Sequence, residues 1–114
     1  MGLFDRFRGG RRGGSGVDTD ADVDRRYLQD WARARTGVEA FVEPRTSVTD
    51  VTVVLVAGDG EWTRRRAGGE SGARWLGQQL HIPVYDVQRV GYPQRMRDYD
   101  ARRRAERRGA AEEG

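Results

Sequence analysis

The sequence predicts a small α+β fold, a compact α/β domain in which one helix precedes three strands of a single sheet and a second helix and a fourth strand follow. The chain has 114 residues, which is enough for one domain. Two segments carry apolar residues at helical spacing, and a run of β-branched residues lies between them. We therefore expect a disordered Gly/Arg-rich N-terminus over residues 1–20, a single domain over 21–93 and a charged C-terminal helix or tail over 94–114.

The first helix is predicted to begin near Asp22 and to end before Gly37. Tyr27, Leu28, Trp31 and Ala34 then lie on one face and form its contact with the sheet. The preceding stretch, residues 8–16, contains Gly, Arg and Ser and no apolar side chain to bury, which is typical of a disordered segment.

Three strands are predicted next, and their patterns differ. Residues 38–42 form a short strand before Pro44, whereas residues 51–57 are apolar on both alternating faces, which predicts an interior strand. Residues 58–60 read Gly-Asp-Gly and predict a hairpin turn. Residues 61–67 form the returning strand, and its three consecutive arginines place it near an edge of the sheet.

The second helix is predicted over residues 72–80 with Ser71 as its N-cap and with three side chains directed inward. Residues 82–87 form the fourth strand, which a right-handed crossover connects to the third. The inward side chains of the second helix are Ala73, Leu76 and Leu80.

Residues 94–108 have helical composition but few apolar anchors, so we expect a solvent-exposed helix.

The composition excludes several kinds of active site. The chain has no cysteine, all 21 basic residues are arginine, and His81 is the single histidine. Thiolate nucleophiles, Schiff-base lysines, phosphate-loop lysines and multi-histidine metal sites are therefore excluded. Ser71 and His81 lie at opposite ends of one predicted helix, roughly 15 Å apart, which is too far for a nucleophile and its base. We predict no catalytic residue, no metal site and no cofactor, and no apolar run long enough to span a membrane.

Two glycine clusters are candidates for phosphate binding. A dinucleotide fingerprint at residues 58–60 would need a third glycine at position 63, which is threonine. The second cluster precedes a predicted helix and could present backbone N–H groups to an anion. Its candidate residues are Gly69, Ser71 and Gly72.

The order of elements resembles the core of the restriction-endonuclease-like nucleases. That family places an acid at the start of its second strand and an acid-x-lysine pair on the third, where they bind a divalent metal. Asp50 matches the first acid, and Asp59 or Glu61 matches the second. Thr63 stands where the lysine should be, so the resemblance implies a degenerate member at most.

Arginines are the remaining candidates for binding. Arg64 and Arg66 share one face of the third strand. The candidates for contact with an anion or a partner are Arg64, Arg66, Arg95 and Arg97. The net charge of +3 invites a nucleic-acid interpretation, but acidic residues interleave the arginines of the C-terminal segment. A solvated helix is therefore favoured over nucleic-acid contact.

Several segments of residues 25–100 resemble short uncharacterised actinobacterial proteins, some of them labelled oxidoreductase. The segments are Gly37 to Pro44, Asp59 to Arg65, Ile82 to Asp86 and Gly91 to Tyr99. The resemblance implies a cytoplasmic, compact α/β domain and supplies no mechanism.

Three functional hypotheses follow. The leading one is a cytoplasmic interaction module without catalysis of its own, which binds an unknown protein partner; Tyr92, Met96 and Tyr99 then dock on the body or on that partner. The second is an oxidoreductase or redox accessory protein that borrows a cofactor. The third is nucleic-acid binding through the arginine-rich ends. The oligomeric state does not follow from the sequence.

Overall fold

The computed structural model describes residues 5–7, 14–15 and 20–113, with side chains described over residues 22–111. It confirms the predicted α+β fold with a charged C-terminal helix. A four-stranded mixed sheet has the strand order β5-β4-β3-β6, in which only β3 and β6 pair in parallel. The elements are β1 (Asp5–Phe7), β2 (Gly14–Ser15), α1 (Asp20–Arg33), β3 (Glu39–Glu43), β4 (Thr52–Val56), β5 (Trp62–Arg66), α2 (Gly69–Leu80), β6 (Val84–Asp86), α3 (Val87–Val90) and α4 (Gln94–Glu113).

The prediction of disorder over residues 1–20 falls mainly outside the described residues. The five described residues before α1 form an antiparallel pair, in which Asp5 is opposite Ser15 and Phe7 is opposite Gly14.

The sheet separates two apolar cores because β4 is buried on both faces, as its sequence predicted. Val53 and Leu55 point to the face covered by α1 and α2, where Leu28 and Leu76 pack against them. On the opposite face, Val54 and Val56 pack with Phe41 of β3 and Met96 of α4. The first turn of α4 is therefore part of the folded body.

The predicted hairpin and edge strand are both confirmed. Ala57 N–H donates to the carbonyl of Glu61, and Gly60 lies in the turn with a φ of +96°. β5 pairs with β4 alone, so it forms one edge of the sheet, and its three arginines are exposed. A positive φ at Gly60 explains why glycine follows Asp59 there.

The prediction that Ser71 caps α2 is wrong. The helix begins at Gly69, after Gly68 adopts a left-handed conformation that provides no side-chain cap. Gly72 packs so closely on Ala67 that an added Cβ would lie 1.6 Å from the carbonyl oxygen of Ala67. The pair of flexible glycines lets the chain turn sharply into this contact, and Ser71 is left exposed in the first turn.

The fourth strand is shorter than the predicted 82–87. Asp86 accepts a hydrogen bond from the backbone N–H of Gln88 at 2.9 Å and thereby caps α3. Val87 therefore belongs to a helical turn, and β6 ends at Asp86.

The inner face of α1 also differs from the prediction. Leu28 and Trp31 are buried as expected, but Ala34 is exposed beyond the end of the helix, and Ala32 is buried instead. Tyr27 is 37% exposed, and its hydroxyl forms a hydrogen bond of 3.0 Å with the hydroxyl of buried Thr63 on β5.

Within the part of the chain that the structure describes, no helix combines the length and the apolar composition needed to cross a membrane.

Candidate functional site

The four candidate arginines, Arg64, Arg66, Arg95 and Arg97, each contact a different part of the protein. Arg64 binds both carboxylate oxygens of Glu43, with Nε–Oε1 and Nη2–Oε2 distances of 2.7 and 2.9 Å. Arg66 lies on the same strand face but turns to Asp24 of α1, with its Nε 3.8 Å from a carboxylate oxygen. Arg64 and Arg66 share a strand face, as predicted, but they bind different acids and their side chains point in different directions.

Glu43 is the centre of a polar network at one end of the sheet. In addition to Arg64, it accepts hydrogen bonds from the hydroxyls of Thr52 and Tyr92. Burial by itself would raise the pKa of the Glu43 carboxyl, but these donors and the guanidinium charge outweigh burial and lower the pKa below its ordinary value. Burial and the carboxylate together raise the pKa of Tyr92. The network joins β3, β4 and β5 to the segment before α4.

Arg95 is partly buried and contacts both the backbone and a carboxylate of the body. Its Nε donates to the carbonyl of Ala57 at 2.9 Å, and its Nη2 lies 2.7 Å from a carboxylate oxygen of Glu39. Arg97 is exposed and contacts only Gln94 of its own helix within the described residues, at 3.3 Å. The four predicted arginines therefore do not converge on one site.

The start of α4 is anchored to the body by apolar and polar contacts. Met96 is 8% exposed and packs in the second core, together with Tyr92. The indole Nε1–H of Trp62 donates to Asp100 at 2.9 Å, and Arg102 Nη2 donates to the backbone carbonyl of Asp59 at 2.8 Å. Tyr92 and Met96 thus dock on the body, which was one of the two outcomes left open for them.

Beyond Arg102, α4 leaves the body as a basic arm, which we define as residues 103–111. All of its side chains are exposed, apart from partial cover at Gly109, and it extends roughly 13 Å at the helical rise of 1.5 Å per residue. The arm carries four arginines and one acid, Glu106. Among the described residues, Arg103 has one weak ion pair, with Glu106 at 3.9 Å, and the other three have none. These three are Arg104, Arg107 and Arg108.

The four arginines form one stripe along the arm. At 100° per residue, they cover about 140° of the helix circumference, and Glu106 lies outside that sector. The two acids that precede the arm accept hydrogen bonds from neutral donors, Asp98 from the side-chain amide of Gln94 at 3.0 Å and Asp100 from the indole of Trp62. Both keep their negative charge, and Glu112 and Glu113 follow the arm, so acids flank the stripe at both ends.

The predicted anion site at the start of α2 is a shallow groove between α1 and α2. The groove has a volume of about 490 Å³, within the range of about 300–1,000 Å³ that is typical of ligand pockets. Ser71 and Gly72 line it together with Arg25 and Trp75, while Gly69 lies at the helix start beside it. Arg25 is already engaged, because it donates to the carbonyl of Ala67 and pairs with Asp22.

The acids of the nuclease-like pattern are held apart by separate partners. Asp50 is exposed and pairs with Arg45 at 2.8 Å, whereas Glu61 binds Arg35 through both carboxylate oxygens at 3.0 and 2.8 Å. Asp59 accepts the backbone N–H of Glu61 in the turn. Within the described residues, no group of three or more histidine, aspartate or glutamate side chains is arranged to hold a metal ion.

The arginines of the arm belong to the C-terminal segment in which the sequence favours a solvated helix over nucleic-acid contact. Because they stand at positions i, i+1, i+4 and i+5, they share one side of that helix.

Comparisons with protein-family models, curated proteins and solved structures found no match.

Proposed function

We propose that the protein is a small cytoplasmic binding module without catalysis of its own, and that the basic arm binds its partner. The observation that carries this proposal is that the arm gathers four exposed arginines on one stripe of a helix, whereas the exposed arginines without a polar partner in the described part of the body, Arg33, Arg74 and Arg89, lie on three separate elements. Arg35, Arg64 and Arg95 have carboxylate partners on the body, whereas the arginines of the arm face solvent. The oxidoreductase hypothesis rests on a sequence resemblance alone.

The way in which the arm is held supports a binding role. Buried Met96 and the Trp62–Asp100 hydrogen bond fix the direction in which α4 leaves the body. Because the start of α4 packs on the body, the helix presents its charges in a defined orientation. Less conformational entropy is then lost when a partner binds.

A pair of matched variants tests the proposal. The arm variant changes Arg104, Arg107 and Arg108 to glutamine, and the body variant changes Arg33, Arg74 and Arg89 to glutamine. All six side chains are exposed and lack a polar partner among the described residues, so both variants lose three exposed positive charges, from one stripe in the arm variant and from three separate helices in the body variant. Glutamine has a helix propensity close to that of arginine, so the arm stays helical.

Each protein is immobilised and used to capture ligands from a cell lysate, and the bound material is quantified by mass spectrometry and by nucleic-acid staining. We expect the wild type and the body variant to retain the same ligands and the arm variant to lose them. Equal capture by the arm variant and the wild type would refute the proposal.

A further inference from the structure

We infer that the basic arm binds the phosphate backbone of double-stranded DNA; this inference rests on the proposed function and names the partner. The arm offers a row of guanidinium groups, and guanidinium binds phosphate oxygens through paired hydrogen bonds. Arg103 and Arg107, like Arg104 and Arg108, lie one helical turn apart on the same stripe. Repeated positive charge along a line matches a polyanion better than a single small anion.

The shape of the arm favours a duplex. Away from the stripe, the arm has small residues at Ala105, Gly109 and Ala110, together with the carboxylate of Glu106. A slender helix of this kind fits the major groove of B-form DNA, which is about 12 Å wide, whereas the major groove of A-form RNA is too narrow to admit it. The arm length of roughly 13 Å corresponds to about four base-pair steps.

Single-stranded nucleic acid is a poorer match. Its binding proteins combine positive charge with aromatic side chains on which the bases stack. Residues 101–111 contain no aromatic side chain. The exposed ring of Trp75 belongs to α2, which covers the opposite face of the sheet from the start of α4.

Apart from arginine, the arm contains none of the side chains that distinguish one base pair from another. Asparagine and glutamine, which read adenine, are absent from residues 101–111. We therefore expect binding that depends on the phosphate charges and is nearly independent of sequence.

Salt dependence gives the inference a quantitative test. If all four arginines of the stripe neutralise phosphates, the logarithm of the association constant falls with the logarithm of the salt concentration with a slope of about −3.6. A fourfold rise in NaCl from about 20 to about 80 mM then weakens binding roughly 150-fold. The arm variant retains one of these contacts, so its slope drops to about −0.9, and the same rise weakens its binding only about 3.5-fold.

The experiment measures the fluorescence anisotropy of labelled 20-base-pair DNA with the full chain, the arm variant and the body variant. Two DNA sequences, the matching RNA duplex, one DNA single strand and polyglutamate of similar length serve as competing probes. We expect the DNA duplexes to bind equally and most tightly, the arm variant to bind at least 100-fold more weakly at 80 mM NaCl, and the body variant to follow the wild type.

The remaining outcomes separate the two proposals. Tighter binding to the RNA duplex, the single strand or polyglutamate, with the same loss in the arm variant, would overturn the assignment to duplex DNA while leaving the arm as a binding element. Equal losses in the arm and body variants, or no arm-dependent binding to any of the probes, would overturn the assignment to DNA. Ligand capture from the lysate then decides separately whether the arm binds anything else.

Discussion

Replacing Gly60 by alanine will push α4 away from the sheet. Gly60 lies in the turn between β4 and β5 with a φ of +96°, and an added Cβ would lie 2.0 Å from the carbonyl oxygen of Arg95 and 2.9 Å from the Cβ of Tyr99. Backbone cannot rotate out of the way as a side chain can, so α4 has to move by about 1 Å to restore an acceptable contact.

Two terms determine the size of the effect. A left-handed conformation costs a non-glycine residue about 1–2 kcal/mol. Moving α4 also withdraws Met96 from the second core, where full burial of a methionine contributes about 1.5–3 kcal/mol, and weakens the hydrogen bonds of Arg95. We expect Gly60→Ala to lower the free energy of unfolding by about 3–5 kcal/mol.

Gly69→Ala is the matched control. Gly69 has a φ of +76°, and its added Cβ would meet no atom within 4 Å. This variant is therefore destabilised only by the left-handed backbone conformation of the new alanine. Urea unfolding followed by tryptophan fluorescence should show it losing about 1–2 kcal/mol. Equal losses in the two variants would refute the close packing of α4 on the hairpin.

Three further predictions concern the hydrogen bonds of Glu43, the contact of α4 with Trp62 and the core between the sheet and the first two helices. The pKa of Glu43 is lower in the folded state than in the unfolded state. The ionised carboxylate therefore stabilises the fold above about pH 4.3, and this stabilisation is lost as the pH falls through the folded-state pKa. Unfolding curves at several pH values should show that Glu43→Gln loses less stability in acid than the wild type does. Trp62→Phe removes the hydrogen bond to Asp100 and should lower the free energy of unfolding by about 1–2 kcal/mol. A double-mutant cycle should show a smaller loss when Asp100 has already been changed to alanine. Leu55→Ala creates a cavity at a fully buried position and should cost about 3–5 kcal/mol in urea unfolding, whereas Val48→Ala, at a position 87% exposed, should change stability by less than about 0.5 kcal/mol.

The strands were predictable because their determinants are local. The two apolar faces of β4 identify an interior strand, and the charges of β5 identify an edge whichever residues pack nearby. The start of α2 was mispredicted because serine is a good N-cap only where its backbone can adopt the cap conformation. Here the close contact between Gly72 and Ala67 places the turn at Gly68 instead, and this contact joins segments that periodicity treats separately.

The candidate site was harder to predict because ion pairs between strands and helices decide which charges remain available. Arg64 and Arg95 find Glu43 and Glu39 only after the sheet has formed. Tertiary contacts likewise direct Asp100 to Trp62, whereas the exposed arginines of the arm have one ion pair among the described residues, that of Arg103 with Glu106.

The basic arm is not explained by the stability of the fold. Two pairs of arginines one turn apart, Arg103 with Arg107 and Arg104 with Arg108, repel each other, and each like-charge pair costs a helix about 0.2–0.5 kcal/mol. No apolar contact within the described chain offsets this cost, so the arm depends on the docked first turns of α4 for its helical start. Salt screens the repulsion, and a bound polyanion removes it. We therefore expect amide hydrogen exchange over residues 104–111 to slow as NaCl rises from about 20 to about 200 mM, with a smaller change in the arm variant. Exchange that is independent of salt in the wild type would show that the arginines of the stripe do not repel one another, and would remove the reason to regard the arm as a surface held ready for an anionic partner.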